Sequence, residues 1–339
     1  MHMADALLSP PVGGLMWAGS IGLIAYCSKK AKDDLDERRI PLMGVLGAFV
    51  FAAQMVTFAI PGTGSGGHLG GGLLLAVLVG PFSAFLTMAS ILTIQALFFG
   101  DGGLLALGCN IFNLGFFPAF IAYPFFYRKI AGQTLTRKRL VWASLAAAIV
   151  SVQMGAFGVV LQTVFSGLAE LPFKSFVLLM QPIHLAIGLT EGLVTAGVII
   201  FVSQARPEIL IHAAPAMPPA RLSVKAVLCG FLLAAMMTGG VFSWFSSSRP
   251  DGLEWAILRV TGTRAPAGPQ SPLHLAAAAL QTKTALLPDY GFKPAATQGG
   301  LAPGWSPADS GTTVSGLVGS ALTLMMAALI GLVLRKRKN

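Results

Sequence analysis

Leu69-Gly70-Gly71-Gly72-Leu73-Leu74-Leu75-Ala76-Val77-Leu78-Val79-Gly80-Pro81-Phe82-Ser83-Ala84-Phe85 opens a stretch that runs without a charge to Phe99. A bilayer core of about 30 Å takes about 20 apolar residues per helix. Residues 69–99 are therefore long for one span and short for two. A proline inside a helix removes a backbone hydrogen bond and kinks or ends it. We read two short, glycine-softened helices divided at Gly80-Pro81. Outward from this point, further uncharged or nearly uncharged runs lie at 10–27, 42–60, 104–127, 140–165, 175–203, 226–245 and 313–334.

The division also satisfies charge placement. Lys29, Lys30, Lys32, Arg38 and Arg39 fill the first loop, and Arg128, Lys129, Arg137, Lys138 and Arg139 a later one. Basic loops stay on the cytoplasmic side. With both inside, an odd number of crossings is needed between residues 68 and 128, and the break at Gly80-Pro81 supplies it. The remaining clusters are Arg206, Arg221 and Lys225, then Arg335 to Lys338. Of the 23 basic residues, 17 fall on the cytoplasmic side of this topology.

Composition agrees. Only 11% of the 339 residues are charged and 55% are hydrophobic, against roughly a quarter charged in a soluble domain. Most soluble enzyme classes drop out. The net charge of +10 sits in short clusters between apolar runs, which suits a cytoplasmic membrane face and argues against a nucleic-acid partner. Cys27, Cys109 and Cys229 all lie in apolar segments and read as buried small side chains. The N-terminus lacks a basic n-region, so it does not read as a cleaved signal peptide, and the mature chain is expected to begin at Met1.

The expected fold is an all-α integral membrane protein. Residues 1–205 form a module of about seven transmembrane helices. Residues 206–222, with four prolines, form a cytoplasmic linker. Residues 223–339 add two helices around an external loop at 246–312. The N-terminus is outside and the C-terminus inside. No internal repeat is visible, so a pseudo-symmetric secondary transporter gains no support.

Four sets of residues carry the chemistry. In Pro61-Gly62-Thr63-Gly64-Ser65-Gly66-Gly67-His68 the glycine spacing matches nucleotide loops weakly. His68 and Leu69 replace the P-loop Lys and Ser/Thr, so no phosphate-binding group is present. What remains is a flexible external loop that can fold around a small ligand, or a solvent-exposed loop in which His68 does nothing. His2 is sharper. The α-amine of Met1, the amide nitrogen of His2 and its imidazole close two fused chelate rings on a metal, and His68 can add a fourth nitrogen. Such a planar set favours Ni(II) or Cu(II), and it can serve Co(II). It requires a free, unformylated Met1; the alternative is that His2 stands there by chance. Gln181, His184, Gly188, Glu191 and Thr195 share one helix face, and Glu191 is the one carboxylate inside a span. That face is an ion relay, a support for a metal site, or a hydrogen bond that locks helix packing. Asn110 and Asn113 lie on one side of a helix and either orient a ligating histidine or pack helices. Asp5 is a candidate for holding the N-terminal segment in place. His212 and His274 receive no role.

Taken together, Met1-His2-Met3-Ala4-Asp5, the glycine-rich loop ending in His68, Asn110-Ile111-Phe112-Asn113, and His184-x-x-x-Gly188-x-x-Glu191-Gly192 resemble the substrate-binding membrane component (S-component) of energy-coupling-factor (ECF) cobalt/nickel importers, the CbiM/NikM family. Pro250-Asp251-Gly252-Leu253-Glu254 resembles the PDGLE motif of the small two-helix partner of such importers, here fused. The resemblance implies a transport subunit rather than an enzyme. It implies capture of Ni(II) or Co(II) on Met1, His2 and His68, with no prosthetic group. It also implies a separate transmembrane coupling (T) protein and cytoplasmic ABC ATPases in the inner membrane. A different class, a secondary transporter using Glu191 as a proton or cation relay, is kept as the alternative.

Overall fold

The computed structural model describes residues 2–34, 39–133, 136–169, 171–210, 222–264, 266, 268–292 and 309–335. The described residues are helical almost throughout, and among them six helices are long and apolar enough to cross a membrane. They are α1 (Pro10–Asp34), α4 (Pro81–Phe99), α5 (Leu107–Ala131), α6 (Arg137–Ser166), α7 (Phe173–Ala205) and α11 (Ser310–Leu334). Two shorter apolar helices, α2 (Arg39–Met55) and α8 (Val224–Gly240), complete the apolar set with α3 (Gly72–Val79). Large apolar side chains remain exposed along these helices, among them Leu15, Phe165, Leu178, Leu193 and Val333. A surface so apolar suits lipid and would be a liability in water.

The break falls at Gly80, whose φ of 86° is open to glycine at little cost. Pro81 then starts α4 at the one helical position where a missing N–H is harmless. The expected pair of spans is corrected in one respect. At 1.5 Å per residue, the eight residues of α3 rise only about 12 Å, well short of a bilayer core. The segment before α3 folds into the bundle as a non-helical loop instead. Such backbone is tolerated at membrane depth where protein buries it.

The core is centred on Phe51, Phe85, Phe99 and Phe176, all fully buried. Helices α6 and α7 lie close because Gly188 and Gly192 face the backbone of Ile149 and Leu145; a Cβ on Gly192 would sit 2.7 Å from Leu145 Cα. Helices α8 and α11 meet at Gly239 and Gly316, where a Cβ on Gly316 would lie 2.2 Å from the Gly239 carbonyl oxygen. Small residues are how membrane helices approach when water supplies no driving force between them. Both α8 and α11 pack on α2, so the C-terminal helices are joined to the rest through it. In α5, Pro118 and Pro124 fall within a wide-turn stretch from Phe112 to Tyr127.

One further expectation needs correction. Cys27 and Cys109 are buried, but Cys229 on α8 is exposed; its apolar sequence context signals lipid rather than protein. The stretch 246–312 carries helices of its own among its described residues, α9 (Gly252–Thr261) and α10 (Pro272–Thr284). Asp251 caps α9, accepting the Glu254 N–H at 2.8 Å while the Glu254 carboxylate accepts the Asp251 N–H, a capping box that the motif itself encodes. His212 lies outside the described residues.

Candidate metal centre

The N-terminal segment is fastened before α1 begins. Asn110 on α5 accepts the Met3 N–H at 2.8 Å and donates to the Met3 carbonyl at 3.3 Å. The Gly103 N–H donates to that same carbonyl, and Asp5 accepts the Ala106 N–H at 2.9 Å. Met3, Leu7 and Leu8 fill the core. Residue 2 is thereby held at one end of the bundle. Met1 lies outside the described residues.

The glycine-rich loop reaches the same place from the other side. Strands β1 (Phe58–Ala59) and β2 (Gly66–Gly67) pair antiparallel. The turn between them uses Gly62 and Gly64 at positive φ. Ser65, Gly66 and Gly67 are buried, so their part of the loop is packed rather than free in solvent. Its lid is the PDGLE segment: the Gly66 N–H donates to the Pro250 carbonyl at 2.7 Å and Trp255 Nε1 donates to the Thr63 carbonyl at 3.0 Å.

The two imidazoles meet there. The rings of His2 and His68 stack with centroids 5.2 Å apart and planes within 18°. His68 Nδ1 lies 3.1 Å from the Leu69 carbonyl, which only accepts, so Nδ1 carries the proton and Nε2 the lone pair. His2 Nε2 lies 3.1 Å from Gln95 Oε1 and His2 Nδ1 lies 3.5 Å from Asp101 Oδ1. Asp101 in turn accepts from the Tyr290 hydroxyl at 2.6 Å. Burial pushes the His68 imidazole down to about 3 and lowers that of His2, where the Asp101 charge opposes it. Both rings are neutral in ordinary buffers, the form that ligates a metal. A cavity of about 610 Å³ opens over the pair, lined also by Asp101, Arg249, Asp251 and Glu254. Among the described residues, no three His, Cys, Asp or Glu side chains converge to hold a metal ion. A metal here needs backbone or terminal nitrogen to complete its shell.

The remaining candidates fall around this centre. Glu191 on α7 is buried and accepts the Gly70 and Gly71 N–H groups at 2.8 and 3.1 Å. It grips the loop two and three residues beyond His68. Replacing Glu191 with leucine strands two buried donors, each worth about 1–3 kcal/mol. We expect a marked fall in the melting temperature of the purified protein, smaller for Glu191→Gln, which keeps one acceptor. His184 donates from Nδ1 to the Met180 carbonyl at 2.7 Å; its Nε2 is buried without a partner and faces Gly252, where an added Cβ would lie 3.3 Å from it. Asn113 exchanges two hydrogen bonds with Gln162 on α6 at 2.8 and 3.1 Å, a contact between helices. His274 bonds the Leu8 carbonyl at 2.9 Å, tying α10 to the N-terminal segment. Sequence reading missed Gln54, Gln95, Asp101 and Tyr290. For the first three the only sequence signal is polarity within or just beside apolar runs, and Tyr290, in the Pro-rich stretch after residue 246, carries none.

Comparison with known proteins bears on both halves. Residues 2–209 match the family model CbiM, a cobalt uptake substrate-specific transmembrane region, and residues 225–336 match the PDGLE domain. A chain of Archaeoglobus fulgidus assigned as a fused nickel transport protein NikMN is 30% identical over 333 residues, covering 96% of each chain. The fused nickel transport protein NikMN of Rhodobacter capsulatus is 31% identical over 257 residues, 70% of this chain and 74% of that one. A crystal structure of a truncated transition metal transporter superposes with a TM-score of 0.53 at 27% identity, over 60% of this chain and 98% of the other. The chain therefore belongs to the CbiM/NikM family of membrane metal-transport proteins, with a PDGLE domain fused behind the transmembrane region.

Proposed function

We propose that this chain is the metal-capturing subunit of an ATP-driven importer of the energy-coupling-factor type. Its substrate is Ni(II) or Co(II), bound by the Met1 amine, the His2 amide and imidazole, and His68. The observation that carries the reading is the stacking of His2 on His68 at 5.2 Å, two residues 66 positions apart brought together at one end of a membrane bundle. The His68 lone pair is on Nε2, and neutral nitrogen donors suit both metals. Nickel is preferred over cobalt because both fused relatives compared above carry nickel in their names.

The charge pattern supports an external N-terminus and a cytoplasmic C-terminus, with 17 of 23 basic residues on the inner side. The coupling protein and ABC ATPases are separate chains in this proposal. A secondary transporter working through Glu191 is less well supported, because both carboxylate oxygens are occupied by the glycine loop.

Elemental analysis of the purified protein with a native N-terminus tests the reading. One equivalent of Ni(II) or Co(II) is expected, with competition ranking the two. His68→Ala is expected to weaken binding by about 10–100-fold while leaving the protein folded. Absence of bound metal, or equal binding by the variant, would overturn the site. Uptake by vesicles that needs a proton gradient and no ATPase would overturn the importer class.

A further inference from the structure

Two buried glutamines join the His2 arm to the His68 loop. Gln54 closes α2 and Gln95 stands in α4, and both are at least nine-tenths buried. The line of bonds between them has a fixed direction. The Gly70 carbonyl can only accept, so Gln54 reaches it with Nε2, at 2.7 Å. Gln54 Oε1 then faces Gln95, whose Nε2 donates to it at 2.7 Å. Gln95 is left with Oε1 toward His2 Nε2, at 3.1 Å. An amide oxygen has no proton to give, so the ring proton of neutral His2 sits on Nε2. Turning both amides around would press Gln54 Oε1 against the Gly70 oxygen, two buried acceptors without a proton between them.

The consequence is a bare Nδ1. That nitrogen closes a six-membered chelate ring with the backbone nitrogen of His2 itself; Nε2 points away from it. Nδ1 stands 3.5 Å from Asp101 Oδ1. With the proton on Nε2, two electron-rich atoms face each other, an arrangement that a cation resolves. We infer that Gln95, oriented by Gln54, is a positioning residue that sets the His2 tautomer for metal capture, and that the Gln54 to Gly70 bond makes the His2 arm and the His68 loop move as one. The inference rests on the proposed metal-binding role. It differs from simple packing of α2 against α4, which is indifferent to where the His2 proton lies.

The test uses the full chain in lipid nanodiscs, labelled with ¹⁵N-histidine. In the metal-free wild type, His2 is expected as the Nε2–H tautomer. Gln95→Glu, held by burial as the neutral acid so that its hydroxyl still donates to Gln54 Oε1, keeps an acceptor at Nε2 and is expected to keep both the tautomer and Ni(II) affinity within about fivefold. Gln95→Leu is expected to lose about 10–100-fold in Ni(II) affinity and to show mixed His2 tautomers. A wild-type His2 carrying its proton on Nδ1 overturns the inference whatever the variants do. So does Gln95→Leu binding as wild type, or Gln95→Glu failing as badly as Gln95→Leu. If the wild type takes up no Ni(II), the metal-binding reading fails instead, and the spectrum still decides the tautomer.

Discussion

Replacing His2 with alanine is expected to lower Ni(II) and Co(II) affinity by about 10³-fold or more, some 4 kcal/mol. The imidazole closes one of two fused rings, and its loss leaves a bidentate amine and amide that does not displace the amide proton readily. The fold should survive, because the segment is fastened by Met3, Asp5, Leu7 and Leu8 rather than by His2. Extending the chain by three residues ahead of Met1 should have the same effect for a different reason. It converts the Met1 amine to an amide and moves the free amine about three residues away, roughly 10 Å at full extension. A one-residue extension is less decisive. It makes a free X-X-His terminus, which carries four nitrogens of its own and binds Ni(II) without His68. Equilibrium dialysis of the three-residue variant, the His2 variant and wild type checks the assignment. Wild-type affinity in both would sink it.

The sequence made the architecture legible where physics is local. Uncharged runs mark the apolar helices, and Gly80-Pro81 marks the division because a positive φ and a missing donor act on the spot. The two histidines were legible as donors by type. Their meeting depends on Asn110 holding Met3 and Glu191 holding Gly70 and Gly71, contacts more than 100 residues apart. No spacing rule reports such pairs. Gln54 and Gln95 were hidden for a related reason: a glutamine in an apolar run usually locks helix packing, and only the direction of its hydrogen bonds reveals more. The helices at 252–261 and 272–284 were obscured by the Pro, Gly and Ser around them. Capping residues at Asp251 and Ser271 were present to mark their starts.

Metal affinity is expected to fall about 100-fold for each unit of pH below 7, and so about 10⁴-fold between pH 7 and pH 5. Binding at the proposed site releases one proton from the α-amine, whose ordinary value is about 7.7–8, and one from the His2 amide. Two protons released per metal give a slope of two in log affinity against pH, with the sign that acid opposes capture. The His68 imidazole adds nothing in this window. Burial pushes it down to about 3, so it is already neutral at pH 5 and no proton must leave it; burial lowers His2 as well, against the pull of the Asp101 charge. Imidazoles at their ordinary value of about 6.5 would steepen the slope toward four below pH 6. The slope therefore separates three cases by isothermal titration across pH 5–7. A slope of two supports a buried histidine pair with an ionised amide. A slope of one removes the amide from the ligand set, and a slope that climbs below pH 6 means that the histidines are open to protons before the metal arrives.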